Sequence, residues 1–323
     1  MIYSSFITGF ERLVPEIMGE KYKDARVVQV LNGAVIYEGR LGSFAPFLNN
    51  SFYVIRKSEG ADIGGFMDGL GDVSMKKGKR RASFRVVVSD QNSLVGVDDA
   101  RMRKLEKMIG ARTGNYVNRA RPDIEYWVLK RSEGVMFFME RVGKHRSFDK
   151  QLQKGELRED LCYFLNYLSS PKDEDVFLDP FFGSGAIIRS RVKMGKFNMI
   201  FGIDKDEAHV RELRKVYKGR NNVILKNIDF FENKFEDGFV DKIVTDPPWG
   251  MFEEIESIGE FYEKFMSEAG RILKLGGRMV VLSAQKEEME KFRAGLCLVE
   301  KYDILVSGKK AGVFVFSKKE VIK

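Results

Sequence analysis

Histidine and cysteine are scarce in this chain, two of each among 323 residues, and their scarcity excludes several chemistries. His145 and His209 cannot supply a histidine metal-ligand set or a pair of imidazoles for acid–base work. His209 falls among charges in a predicted helix, which marks it as a surface residue. Cys162 and Cys297 are too few and too far apart for a disulfide framework or a zinc knuckle, so both are expected to be buried thiols and no metal is expected. The phosphate-cradling pattern GxxxxGK[ST] does not occur, which removes an NTPase reading. No apolar run approaches the roughly 20 residues that cross a bilayer. The opening residues MIYSSFITGFERLVP lack the basic and apolar regions of a secretion signal. The expectation is a cytosolic protein with no membrane partner.

Charge, by contrast, is plentiful. Lysine and arginine number 55 against 47 acids, a net charge of +8. A basic surface gains affinity for a polyanion through counterion release, so the balance points toward nucleic acid. A hydrophobic share of 44% with 32% charged residues lies in the range of ordinary globular chains, and the length suffices for two domains.

From about Asp173 onward, short apolar segments alternate with longer amphipathic ones, the signature of a parallel α/β sheet. The predicted strands are Val176–Asp179, Met199–Asp204, Val223–Lys226, Lys242–Asp246, Met279–Ser283, Ile304–Val306 and Val313–Phe316, with helices such as Asp206–Tyr217 and Phe252–Leu273 between them. Ser307–Gly312 is too short for a helix, so the last two strands form a terminal antiparallel hairpin, an unusual finish for a dehydrogenase-type sheet. The first half mixes strands at Val27–Leu31, Ala34–Tyr37, Phe52–Arg56, Phe84–Ser89 and Tyr126–Arg131 with helices at Arg12–Gly19 and Asp98–Thr113, which indicates an α+β region. The glycine-rich stretch Gly60–Gly71 reads as a loop. It precedes the basic cluster Lys76, Lys77, Lys79, Arg80 and Arg81.

The sharpest local signal is the strand-to-turn run Phe177-Leu178-Asp179-Pro180-Phe181-Phe182-Gly183-Ser184-Gly185. Glycines here let a ligand approach the backbone at the carboxyl edge of the first strand. The third glycine of the dinucleotide fingerprint is missing, so the run suits a nucleoside with an amino-acid tail better than a pyrophosphate. Asp204 and Asp229 stand at the next two strand ends, where carboxylates can accept from ribose hydroxyls and an adenine amino group. The fourth strand ends in Thr245-Asp246-Pro247-Pro248-Trp249-Gly250. Two prolines remove two backbone donors, leaving carbonyls and the Asp246 carboxylate as acceptors beside an aromatic plane. That arrangement fits a planar group bearing an NH2, with Trp249 stacking on it. Neither cysteine stands near this turn in sequence, which disfavours methylation at a pyrimidine carbon.

Together the two runs resemble those of the methyltransferases that pair a THUMP domain with a Rossmann-fold catalytic domain and make N2-methylguanosine in tRNA. Gly9-Phe10-Glu11, Thr113-Gly114 and the segment Arg121 to Val128 look like the N-terminal parts of that family. The resemblance implies a class I (Rossmann-like) seven-stranded α/β domain over 166–323. It also implies a ferredoxin-like/THUMP region over 1–145 that grips RNA and a connector over 146–165. S-adenosyl-L-methionine would be held by Asp179, Pro180, Phe181, Gly183, Ser184, Gly185, Asp204, Lys205, Ile228, Asp229 and Asp246. Asp246, Pro247, Pro248 and Trp249 would receive the guanine, and Lys76, Lys77, Lys79, Arg80, Arg81, Arg119 and Arg121 would meet RNA, most simply as a monomer. Gly155-Glu156-Leu157-Arg158 occupies the place of a Leu-Arg/Lys-Pro stretch over the cofactor, with Glu159 replacing the proline. The alternatives are an enzyme of the same chemistry acting on ribosomal RNA, DNA adenine or a protein glutamine, and a non-catalytic RNA-binding protein with a degenerate methyltransferase fold.

Overall fold

The computed structural model describes residues 1–41, 45–60, 62–77, 81–91, 93–142, 152, 155–250, 257–306 and 308–319. The chain divides into two units, Met1–Phe6 with Glu11–Arg146, and Ile7–Phe10 with Ser147–Lys323.

In the first unit the strands are β1 (Ile2–Ser5), β2 (Ala25–Leu31), β3 (Ala34–Gly39), β4 (Ser51–Glu59), β5 (Ser83–Asp90), β6 (Ser93–Leu94), β7 (Tyr116–Val117), β8 (Ile124–Lys130) and β9 (Val135–Arg141). They form one sheet in the order β2-β3-β1-β4-β9-β8-β5-β6, with β7 beside β5. Among the described residues three α-helices accompany it: α1 (Leu13–Lys21), α2 (Ile63–Asp68) and α3 (Asp99–Thr113). Four of these strands, β1, β6, β7 and β9, are absent from the sequence reading, and β9 explains itself once placed. Val135, Phe137 and Met139 enter a core with Tyr3, Ile36 and Phe52 on one face. Met136 and Phe138 enter a second core with Phe84, Leu105 and Ile109 on the other. A strand covered on both faces shows no alternation, so its period is invisible in sequence.

The expectation of a loop over Gly60–Gly71 is corrected. Asp62 caps α2, accepting from the amides of Gly64 and Gly65 at 2.9 Å each, and Phe66, Met67 and Leu70 are buried in the second core. Capping by an acid and the burial of three apolar side chains outweigh the roughly 1 kcal/mol that each interior glycine costs a helix.

The strands of the second unit are β10 (Val176–Asp179), β11 (Met199–Asp204), β12 (Val223–Asn227), β13 (Val240–Thr245), β14 (Leu273–Ser283), β15 (Leu296–Val306) and β16 (Lys309–Lys318). Their order is β12-β11-β10-β13-β14-β16-β15, with β16 antiparallel to both neighbours. The hairpin is therefore much longer than its two predicted segments, and its second strand inserts inside the sheet. Helices are α4 (Glu159–Leu168), α5 (Ala186–Lys193), α6 (Glu207–Val216), α7 (Ile258–Ile272) and α8 (Lys286–Lys291). Helix α4 begins within the expected connector, at Glu159, and runs past its end. The part of the predicted Phe252–Leu273 helix before Ser257 lies outside the described residues. Ser257 caps α7 through the Glu260 amide.

The segment Ile7–Phe10 packs within this second unit. Phe10 is fully buried, stacked 4.2 Å from Phe164 of α4 and 5.3 Å from Tyr302 of β15. Gly9 has a φ of +107°, and a Cβ there would strike the Asp303 carbonyl oxygen, so both geometry and space demand glycine. Cys162 is buried as expected, but Cys297 is exposed. It lies on β15, the outermost strand of the sheet, and alternation turns its side chain to solvent. No helix among the described residues is long and apolar enough to cross a membrane.

Candidate active site at the switch point of the second sheet

Strand order reverses direction between β10 and β13, the position where open α/β sheets leave a crevice at their carboxyl edge. The parallel register sets Leu178 beside Ile243, so the glycine turn after Asp179 and the proline turn after Thr245 leave the sheet from adjacent strands. Asp179 is fully buried. Its Oδ1 accepts from the Phe181 amide at 3.3 Å, whereas among the described residues Oδ2 and the buried Thr245 hydroxyl find no hydrogen-bond partner. Burial pushes the Asp179 carboxyl up to about 8, reinforced by the negative charges of Asp204 and Asp246 and opposed by the Phe181 amide and by the nearby Thr245 hydroxyl, whose geometry falls short of a full hydrogen bond.

Asp204 closes the other side of the glycine turn. Its Oδ2 accepts from the Gly183 amide at 2.7 Å and its Oδ1 from the Asp206 amide at 2.8 Å, while the exposed His209 stands 3.7 Å away. Gly185, at φ +76°, starts α5, and a Cβ there would press into Leu213 of α6. Arg189 of α5 donates to the Ser184 carbonyl at 2.6 Å and to Glu156 at 3.3 Å, tying the Gly155–Arg158 segment to the turn. Arg158 pairs with Asp160 at 2.6 Å. Pro180 is buried, and Ile228 packs against the core. Phe181 lies in an aromatic cluster, 5.5 Å from Phe230 and 5.7 Å from Phe261 and Phe265. Asp229 is exposed and caps the 3-10 turn that follows, accepting from the Phe231 amide at 2.9 Å. Lys205 is exposed; its carbonyl and that of Asp204 accept from the Asn227 side chain.

The Asp246 carboxylate accepts from the indole Nε1 of Trp249 at 2.8 Å. Asp246 keeps a partly exposed surface, yet protein crowds its carboxyl closely enough to push it up to about 7, against the opposing pull of the indole. Both carbonyls beyond the prolines are held from neighbouring elements. Tyr262 of α7 donates to the Pro248 carbonyl at 3.2 Å and shares a 2.7 Å bond with Ser283 at the end of β14. Gln285 donates to the Trp249 carbonyl at 2.7 Å, and its own amide donates to Ser283 at 3.0 Å.

The RMKL-like methyltransferase domain matches residues 146–306. A probable tRNA (guanine(10)-N2)-dimethyltransferase from Methanothermococcus thermolithotrophicus is 30% identical over 153 residues, covering 45% of this chain and 90% of that one. The chain belongs to the RMKL-like methyltransferase family. A tRNA (guanine(6)-N2)-methyltransferase from Methanocaldococcus jannaschii is 25% identical over 195 residues. That match takes in 46% of this chain and 51% of the archaeal enzyme, so the chain spans about half the length of that relative. Among solved structures, TrmN from Thermus thermophilus superposes with a TM-score of 0.80 at 20% identity, covering 98% of this chain and 99% of that one. A putative methyltransferase complexed with SAH gives 0.72 at 14%, with 99% and 98% covered. Both share the fold of this chain.

Tyr262, Ser283, Gln285 and Arg189 went unnoticed in the sequence. Ser283 and Gln285 carried a signal, being polar residues at the carboxyl end of a strand; Tyr262 sits in an ordinary amphipathic helix and carried none. Cys162 is nearer the site than its place in sequence suggests, since its thiol feels the charges of Asp179 and Asp246. Complete burial raises the thiol well above its ordinary range, so no nucleophilic thiolate forms at neutral pH. No cluster of three or more His, Cys, Asp or Glu side chains able to hold a metal occurs among the described residues.

The basic residues belong to the first unit. Pairing of Ser83 with Tyr116 and Phe84 with Val117 brings the segments around Arg81 and Arg119 to one part of the sheet. Lys76, Lys77, Arg81 and Arg121 are exposed, and the Arg81 guanidinium lies 5.2 Å from the ring centre of Tyr116. Arg119 departs from the others because its guanidinium forks onto Glu106 at 3.0 and 2.9 Å. Lys79 and Arg80 lie outside the described residues.

Proposed function

We propose that this methyltransferase transfers a methyl from S-adenosylmethionine to the exocyclic N2 of a guanosine in tRNA. The observation that carries the reading is the pair of raised carboxyls at the ends of adjacent strands, the buried Asp179 with an unpartnered Oδ2 and the partly exposed Asp246 in an acceptor-rich turn. The names of the archaeal relatives support the choice of base and of RNA.

An orphaned buried carboxylate oxygen beside a glycine turn suits an amino-acid ammonium, so the residues fit the cofactor. Asp179 would bind that ammonium with Pro180, Phe181, Gly183, Ser184 and Gly185 lining its tail. Asp204, with Lys205 beside it, would bind the ribose; Ile228 and Asp229 would hold the adenine. S-adenosylmethionine, when bound, supplies an electrophilic methyl on a sulfonium. Asp246 and the Pro247 carbonyl accept from the guanine amino group, which directs the nitrogen lone pair away from the ring. With its carboxyl near 7, Asp246 can take the proton released from the methylated nitrogen at neutral pH. Residues 1–145 would act as the ferredoxin-like and THUMP region, presenting one flipped base from RNA gripped by Lys76, Lys77, Arg81 and Arg121. The enzyme would act in the cytoplasm as a monomer.

Asp246→Ala tests the reading. Transfer of tritiated methyl to unmodified tRNA transcripts should fall at least about 100-fold, the scale of a lost acid–base group, with cofactor affinity held within a few-fold. A near-normal rate would refute the role of Asp246. Nucleoside mass spectrometry of the wild-type product that finds the methyl anywhere but guanine N2 would refute the choice of atom.

A further inference from the structure

We infer that Trp249 serves this site as a hydrogen-bond donor that aims the Asp246 carboxylate, and that Gln285 and Tyr262 are positioning residues that hold the indole in place. The inference rests on the guanine-N2 reading and deepens it.

An aromatic side chain needed only for stacking has no use for a polar edge, yet the indole N–H spends its donor on Asp246 Oδ1 at 2.8 Å. That bond engages one carboxylate oxygen and fixes the plane of the group, leaving Oδ2 to meet an incoming amino group. The turn could not hold this geometry alone, because Pro247 and Pro248 have no amide hydrogens to brace it. Bracing comes from outside, through Gln285 on the Trp249 carbonyl and Tyr262 on the Pro248 carbonyl. Ser283 joins the two braces, bonded to the Tyr262 hydroxyl and to the Gln285 amide. Two carbonyls and one indole are thus set by side chains from α7 and from the β14–α8 junction.

The charges around Asp246 give the donor a second task. Asp179 on β10, Cys162 on α4 and Tyr262 on α7 each couple to it electrostatically. Asp204 acts in turn on Asp179, Glu288 on Tyr262 and Arg189 on Cys162. The three groups that couple directly are acids, so none favours an ionised Asp246. The indole N–H opposes the rise that burial produces. Without that donor Asp246 would hold its proton to higher pH and lose an acceptor that the amino group needs.

Trp249→Phe keeps a stacking face and removes the donor. With tritiated S-adenosylmethionine and unmodified tRNA transcripts, the acid limb of kcat should move up by about one to two pH units, the effect of losing a hydrogen bond to a charged group. The rate should fall about tenfold or more at pH 7 and recover toward pH 9, with KM for the cofactor unchanged. Gln285→Glu, which has no donor for the Trp249 carbonyl, should lower kcat several-fold with the same cofactor KM. A wild-type rate and unshifted acid limb in Trp249→Phe would overturn the inference, as would a folded variant inactive at every pH. A wild-type kcat in Gln285→Glu would overturn the bracing role even if the tryptophan variant failed to fold. Asp246→Ala, assayed in parallel, separates the two ideas. If it is active, the role of Asp246 in the proposed transfer fails; if it is inactive while Trp249→Phe behaves as wild type, only this inference fails.

Discussion

Asp179→Asn should make the protein more stable at alkaline pH while removing its response to S-adenosylmethionine. Burial holds the Asp179 carboxyl near 8, against an ordinary 3.8. A carboxyl whose folded value lies above its unfolded one keeps its proton longer in the folded state. Folding therefore takes up a proton between about pH 4 and pH 8, and stability falls as pH rises through that window. The penalty is absent below about pH 4 and complete above about pH 8. Each pH unit of the gap corresponds to about 1.4 kcal/mol, so at pH 7 the roughly three units between 3.8 and ambient pH set an upper limit on the order of 4 kcal/mol. Asparagine removes the ionisation while its oxygen can still accept from the Phe181 amide, and the Thr245 hydroxyl lies near the amide group. A gain of half the limit, about 2 kcal/mol, would raise Tm by about 4–8 °C for a unit of this size. The gain should shrink toward zero at pH 4. Wild-type Tm should rise on adding the cofactor, by linkage to binding, and the variant should show no such rise. Thermal unfolding at pH 5 and pH 8, with and without S-adenosylmethionine, reads all of this. A variant destabilised equally at both pH values, or one still stabilised by the cofactor, would refute the reasoning.

Gly185→Ala should weaken cofactor binding and stability together: the left-handed backbone costs a non-glycine residue about 1–2 kcal/mol, and the new methyl meets Leu213. Denaturant titration should show a midpoint shift, and an unshifted midpoint would contradict the packing around the turn. Replacing Lys76, Lys77 and Arg81 together with alanine should weaken tRNA binding and reduce the slope of log affinity against log salt by up to about three. Filter binding across a salt series checks this, and an unchanged slope would remove these residues from the RNA contact surface.

What contiguous residues encode, this chain displayed openly. An apolar run ending in Asp179 and followed by Gly183 and Gly185 already contains the strand, the turn and the start of the helix. Asp246, Pro247, Pro248 and Trp249 likewise contain a donor-poor turn beside an aromatic ring. The acids at the ends of β11 and β12 were legible for the same reason, since a strand end is a local event. Tertiary structure alone decided what those residues experience. Pairing of β10 with β13 across some sixty residues of chain set two carboxyls near one another at one edge of the sheet, and the protein packed over them raised both. The same packing brought Cys162 toward them and turned the Trp249 indole onto Asp246. It also ordered α2 in a glycine-rich stretch and buried β9 on both faces. The physical reason is one of range: backbone preference and turn chemistry act over a few neighbouring residues, whereas desolvation, long-range hydrogen bonds and burial depend on partners that only the folded chain supplies.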